Sequence, residues 1–235
     1  MCRRYGVPAT LPYFIPMPLG FFGTLGAVIK MRGFMPTRKA IFDIGAAGPL
    51  FGFVLCLPCI AGGLAMSEVK VLSSETDAMV TLGEPLVFQM LSKMVIGDLP
   101  ENTDIFLHPL AFAGWAGVFV TGLNLIPLGQ LDGGHVLYAL FGDKANRFYG
   151  IGLVVFIAAA ALWFFPYLLF GFLLTLFGRR HPPPFDKHTP LGRGRAALAF
   201  VMIGIFVLSF CVKPIDIPHG SEGLLELLAR LVGHG

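Results

Sequence analysis

Asp132 carries the strongest chemical signal in the chain. It lies in residues 124–135, NLIPLGQLDGGH, at the end of an apolar segment long enough to lie in a bilayer. Bringing a carboxylate to membrane depth is costly, so such a residue is a candidate functional site by default. Its neighbours fit that reading. Gly133 and Gly134 let the backbone turn tightly and let other segments come close. Pro127 ends the preceding helix and leaves carbonyls free. The Asn124 amide, inside that helix, can hydrogen-bond a substrate backbone or hold an adjacent helix. His135 shares a helical face with Asp132 at i, i+3. The competing reading makes Asp132 a helix N-cap in front of Gly133, Gly134 and His135.

The elements that position these residues are membrane elements. Of 235 residues, 55% are hydrophobic and 13% charged, where a soluble domain carries about 25% charged residues. The expected fold is an α-helical multi-pass membrane protein with four to six transmembrane or re-entrant segments, forming one domain over 1–235. Residues 10–29 are apolar but contain Pro12, Pro16, Pro18, Gly20, Gly23 and Gly26. That density of breakers excludes a spanning helix. Residues 1–40 therefore read as extended or re-entrant backbone, with 23–31 the best strand. Membrane segments follow at 44–66, 109–127, 150–177 and 196–212. Asp43 reads as the N-cap of the first, and Gly45, Ala46, Ala47 and Gly48 make one of its sides small enough for close helix approach. Residues 84–96 form an amphipathic surface helix, 135–141 a short apolar helix, and 221–232 an amphipathic tail.

Charge orients the segments. Arg3, Arg4, Lys30, Arg32, Arg38 and Lys39 precede the first acid, Asp43, so this stretch faces the cytoplasm. One crossing puts the acidic loop 67–107 outside, and a second returns Asp132 to the cytoplasmic side. The basic loop 179–195 also belongs inside, so 150–177 must cross twice or re-enter, turning near Pro166. Cys56 and Cys59 form a CxxC inside an apolar run, where small packing residues fit better than redox or metal ligands. The net charge of +3 forms no basic patch on a soluble module, which argues against a nucleic-acid partner.

The pattern NxxPxxxLDGG of 124–134 closely resembles the second metal-binding motif of the site-2 protease family, the zinc intramembrane metalloproteases of peptidase family M50. HPLAFAGWAGVFVTGLNLIP before it, HVLYALFG after it and FDIGAAGPLFGF around Asp43 resemble the family too, so the likeness covers nearly the whole chain. HPPPFD and the final helix resemble a bacterial and plastid-related branch. The resemblance implies a zinc metalloendopeptidase that cuts transmembrane protein substrates within or near the lipid bilayer, in a bacterial inner or plasma membrane with the site toward the cytoplasm. It makes Asp132 the third Zn2+ ligand, with Gly48, Pro49, Gly133 and Gly134 lining the site and Asn124 acting beside it. His135 holds no ligand position in the family.

Two histidine ligands and a general-base Glu normally come from HExxH. No His in this sequence is followed by Glu. In the family, text resembling CRRYGVPATLPYFIP comes shortly after HExxH, which places the motif upstream of Met1 and makes this an N-terminally truncated chain, inactive on its own. The alternatives are an inactive pseudoprotease that binds membrane helices, and a small transporter with Asn124 and Asp132 lining a pathway. Against the transporter, the sequence shows no internal repeat.

Overall fold

The computed structural model describes residues 1–11, 13–16, 24–28, 35–71, 81–100, 102–164, 166–177, 184–186 and 189–216. Among these are seven α-helices: α1 (Arg38–Ala65), α2 (Leu86–Val95), α3 (Pro109–Asn124), α4 (Asp132–Phe141), α5 (Lys144–Trp163), α6 (Pro166–Phe177) and α7 (Arg193–Ser209). A 3-10 turn, η1 (Cys2–Tyr5), precedes them. Six short strands pair in twos, all antiparallel: β1 (Tyr13–Pro16) with β2 (Thr24–Val28), β3 (Glu68–Val71) with β5 (Thr103–Phe106), and β4 (Thr81–Leu82) with β6 (Ile215–Asp216). The extended backbone expected near the start is thus a hairpin. Its second strand lies within 23–31, of which 23 and 29–31 fall outside the described residues. So does the tail at 221–232.

The helix α1 organises the bundle through its small residues. A Cβ built on Gly63 would fall 2.1 Å from the Ala111 nitrogen, and one on Gly117 would fall 2.4 Å from the Cys56 sulfur. One on Gly52 would meet Thr121 Oγ1 at 3.5 Å. These pairs run in opposite directions along α1 and α3, so the two helices form an antiparallel seam whose backbones touch. Cys56 is a packing residue in that seam. At the end of α1, β3 turns back to pair with β5, which leads directly into α3.

Trp115 of α3 is buried in the same core, stacked between Phe112 and Phe119 at 5.8 and 5.7 Å. Its indole Nε1 donates to the Gly83 carbonyl at 2.7 Å, tying the β4–β6 pair to the bundle. Trp115→Phe leaves that carbonyl unpaired. It is expected to lower stability by about 1–3 kcal/mol, measured by thermal unfolding in detergent.

Several boundaries differ from the sequence reading. α1 starts at Arg38, six residues before the expected 44, because Thr37 caps it: Oγ1 accepts from the Ala40 amide at 3.2 Å. Asp43 is therefore not an N-cap; it lies in the second turn of α1. The short helix expected at 135–141 begins at Asp132. The apolar run 150–177 is two helices, α5 and α6, breaking at Phe164 just before Pro166. They pack antiparallel, with Tyr149 Oη donating to the Leu174 carbonyl at 3.0 Å and the Phe156 and Phe170 rings 6.0 Å apart. α2 matches the surface helix expected at 84–96; it buries Val87 and Phe88 and exposes Met90 and Met94. The chain is mostly helical as expected. α1, with 28 residues, is the one described helix long and apolar enough to cross a membrane, and shorter apolar stretches occupy 147–162 and 167–176.

Candidate active site

The site forms where α3 hands over to α4. Residues 125–131 fold into consecutive tight turns, with Leu128 N donating to Ile126 O at 2.7 Å and Leu131 N to Leu128 O at 3.2 Å. Gly129 takes a left-handed conformation there (φ 56°). α4 then packs its first turn directly on this lead-in. A Cβ on Gly133 would lie 2.1 Å from the Leu125 carbonyl oxygen, and one on Gly134 would lie 2.3 Å from that of Gly129. The two glycines are present because no side chain fits between the helix and its own entry loop.

α1 covers another side. A Cβ on Gly45 would fall 2.6 Å from the His135 Cβ and 3.2 Å from the Asp132 carbonyl oxygen. One on Gly48 would stand 3.6 Å from Asp132 Oδ2. The fold thus brings Gly48, Gly133 and Gly134 to Asp132. Pro49 is buried in the next position of α1. Asn124 is the last residue of α3, half-buried, and its amide makes no hydrogen bond among the described residues.

Asp132 is the first residue of α4. Leu131 holds the N-cap position, with no side-chain capping bond. The N-cap alternative for Asp132 therefore fails. Its half-buried carboxylate makes no hydrogen bond or ion pair among the described residues. A carboxylate removed from water without a donor or a counter-charge is unfavourable by several kcal/mol. That environment suits a bound cation.

The donor set is incomplete. A catalytic zinc takes three protein ligands, and no three His, Cys, Asp or Glu side chains converge among the described residues. They supply one ligand, Asp132. His135 is buried one turn further along α4 against Gly45. His108 sits at the opposite end of α3, where its Nδ1 accepts from the Leu110 amide at 3.2 Å. His181, His188, His219 and His234 lie outside the described residues.

Sequence reasoning missed the contacts that fix this arrangement. Arg38 donates to the carbonyl oxygens of Ala139 (Nε 3.0 Å, Nη2 2.6 Å) and Leu140 (Nη2 2.8 Å), capping the far end of α4. Asp43 receives both prongs of Arg195, from α7, at 2.8 Å each, together with the hydroxyl of Tyr5 from η1. Only the positive charge of Arg38 and Arg195 hinted at partners. The partners themselves are 101 and 152 residues distant.

Comparison with known proteins decides the family. The model of peptidase family M50 matches residues 10–165, from the β1–β2 hairpin through α5. The chain belongs to peptidase family M50. Similar curated M50-like relatives are plant proteins. The probable zinc metalloprotease EGY2, chloroplastic, of Arabidopsis thaliana is 31% identical over 203 residues, 82% of this chain and 36% of the relative. The rice (Oryza sativa subsp. japonica) protein named probable zinc metalloprotease EGY1, chloroplastic, is 30% identical over 86% of this chain and 35% of its own length. Its Arabidopsis counterpart is 32% identical over 86% of this chain and 37% of itself. The chain spans about a third of the length of these relatives. No solved structure matches it. These three relatives are each named a probable zinc metalloprotease. The plant relatives give no support to the bacterial inner membrane expected from the sequence.

Proposed function

We propose that this M50 chain belongs to a zinc metalloendopeptidase that cleaves transmembrane protein substrates within or near the bilayer. In this reading Asp132 is a zinc ligand, with Gly48, Pro49, Gly133 and Gly134 lining the site. The observation that carries it is the Asp132 carboxylate, without a partner among the described residues, beside an exposed Gly48. The M50 match covers that segment and supports the reading.

A multi-pass membrane setting is part of the proposal. Large apolar side chains stand exposed along four helices, among them Phe51 and Leu55 on α1, Ile151 and Val154 on α5, Phe172 on α6, and Phe200 and Ile203 on α7. Exposed apolar surface of that extent fits lipid contact. Arg38 and Lys39 stand at the Asp132 end of α1 and Arg193 and Arg195 begin α7, so positive-inside orientation turns the site toward the cytoplasmic-type face.

This chain's own residues prepare the substrate. A membrane helix must unwind before its peptide bond is accessible, and the unwound segment can add as a strand to the β1–β2 hairpin. Main-chain pairing of this kind accepts varied sequences. The Asn124 amide offers a donor and an acceptor to the substrate backbone. Bound zinc supplies a water of lowered pKa at such a site. HExxH, the motif that supplies two histidine ligands and a general base, does not occur in this sequence. That same fact favours a second reading, a non-cleaving scaffold that binds membrane helices.

Metal removal separates the two. The protein encoded by the complete reading frame is placed in nanodiscs with a fluorescent single-span peptide carrying a Gly-Pro break. Cleavage is expected, lost with 1,10-phenanthroline and restored by Zn2+. Absence of bound zinc together with peptide binding but no cleavage would leave the scaffold.

A further inference from the structure

Pro49 interrupts α1 at the level of Asp132. It has no N–H, so the Gly45 carbonyl, four residues earlier, lacks its helical partner. Gly45 and Gly48 in the same stretch weaken the helix further. α1 therefore has a compliant joint at 45–49. Beyond the joint, the glycine seam with α3 fixes the helix. Before it, the segment from Arg38 to Gly48 forms the wall against Asp132 and His135. Within this wall Ala40, Ile41 and Phe42 pack into the core, and backbone bonds from Phe185 and Asp186 to Met35 and Pro36 hold its lead-in.

Side-chain ties from three other elements hold it. Arg38 grips the end of α4. Tyr5 of η1 donates to Asp43, and Arg195 of α7 meets Asp43 with two parallel bonds of 2.8 Å. Arg195 Nη2 also reaches the Tyr5 oxygen at 3.4 Å. A planar guanidinium on a carboxylate fixes direction as well as distance, which an ammonium does not. The Arg195 side chain keeps 32% of its surface exposed and that of Asp43 15%. Partly hydrated ion pairs add little to folding stability.

We infer that the Asp43–Arg195 pair is a positioning device for the candidate site: it sets the tilt of α1 at the Pro49 joint and so the seat of Asp132 beside Gly45 and Gly48. α7, which gives no residue to the site itself, thereby controls its geometry. The inference rests on Asp132 being the functional carboxylate.

The test uses the complete protein in nanodiscs and two readouts. The first is cleavage of the single-span peptide. Arg195→Gln and Arg195→Lys are expected to lower kcat about 10–100-fold at little-changed KM, the order expected for a reacting group misplaced by an ångström. The exchanged pair Asp43→Arg with Arg195→Asp is expected to recover most of it. Lys93→Gln, which breaks the exposed Lys93–Asp98 pair, is the control and should match wild type in rate and melting temperature. The second readout needs no protease activity. Asp132→Cys, in a background with Cys2, Cys56, Cys59 and Cys211 replaced by Ser, is modified with a water-soluble methanethiosulfonate. Arg195→Gln should change that rate severalfold, and the exchanged pair should restore it. An unchanged labelling rate, or a loss of kcat that only tracks loss of folded protein, overturns the positioning role. Altered labelling in a protein that cleaves nothing refutes the protease reading and keeps the positioning role. Unaltered labelling in an active protease does the reverse.

Discussion

Asp132→Asn is expected to remove zinc binding and cleavage from the complete protein while leaving the stability of its metal-free form equal or higher. The amide has nearly the same shape, so the packing against Gly48 and Gly45 survives. What disappears is a negative charge that meets no donor among the described residues. Relieving such a charge favours the folded state by about 1–3 kcal/mol. The functional loss should exceed the ~10–100-fold drop that follows removal of an outer partner of a metal ligand, since a ligand itself is lost. Loss of function with retained or gained stability marks a residue held for chemistry. Metal analysis of the purified proteins and thermal melts after chelator stripping check both halves. Full zinc content and full activity in the Asn variant would sink the ligand role. A helix cap would predict a different pattern: Asn as good as Asp, and Ala weaker by about 1 kcal/mol.

The second large effect is expected at Gly133 and Gly134. A single methyl at Gly133 would stand 2.1 Å from the Leu125 carbonyl oxygen and 2.7 Å from that of Ile126. At Gly134 it would stand 2.3 Å from the Gly129 oxygen. These neighbours are backbone atoms, so no side chain can swing aside, and the turn at 125–131 must move. Overpacking of this kind destabilises by about 1–3 kcal/mol or more. The shift also carries Asp132 with it, and a displacement near 1 Å is worth about a hundredfold in rate. Gly133→Ala should therefore lose activity at temperatures where the protein is still folded. Gly150→Ala is the comparison: a Cβ there meets nothing within 4 Å, so it should be neutral or stabilising by up to about 1 kcal/mol. Equal behaviour of the two variants would refute the packing argument.

The parts of this structure legible in the sequence are those set by local pattern. The apolar runs gave α1 and α3, the breaker-rich stretch gave the β1–β2 region, and Pro166 marked the turn between α5 and α6. LDGG marked the candidate site through the likeness of 124–134 to the family's metal-binding motif, since charge and position alone left a helix cap equally open. The errors came from reading charge as an end signal. Asp43 reads as the start of α1 because an acidic side chain can cap a helix, whereas Thr37 holds the cap and Asp43 is neutralised by Arg195. The sequence also reads LDGG as a turn, with the helix starting only at His135, since glycines are poor helix formers in general. Here the approach of the entry loop demands them in the first turn. Partners more than a hundred residues apart, such as Arg38 with Ala139, leave no periodic trace for local reading to find.

The helices are not joined equally along their length. On the side away from Asp132, β3–β5 ties α1 to α3, β4–β6 ties the end of α7 to the segment before α2, and Trp115 rivets that pair to the core. On the Asp132 side α1 and α7 themselves meet through an ion pair that water can compete for, while backbone bonds from Phe185 and Asp186 to Met35 and Pro36 join the residues leading into them. A bundle fastened in this way has a fulcrum. If the helices part to admit a bulky guest, the side-chain link between α1 and α7 gives before the strands, which serve as the pivot. The strand-bearing loops then act on the site at a distance, as the stiff end of a lever.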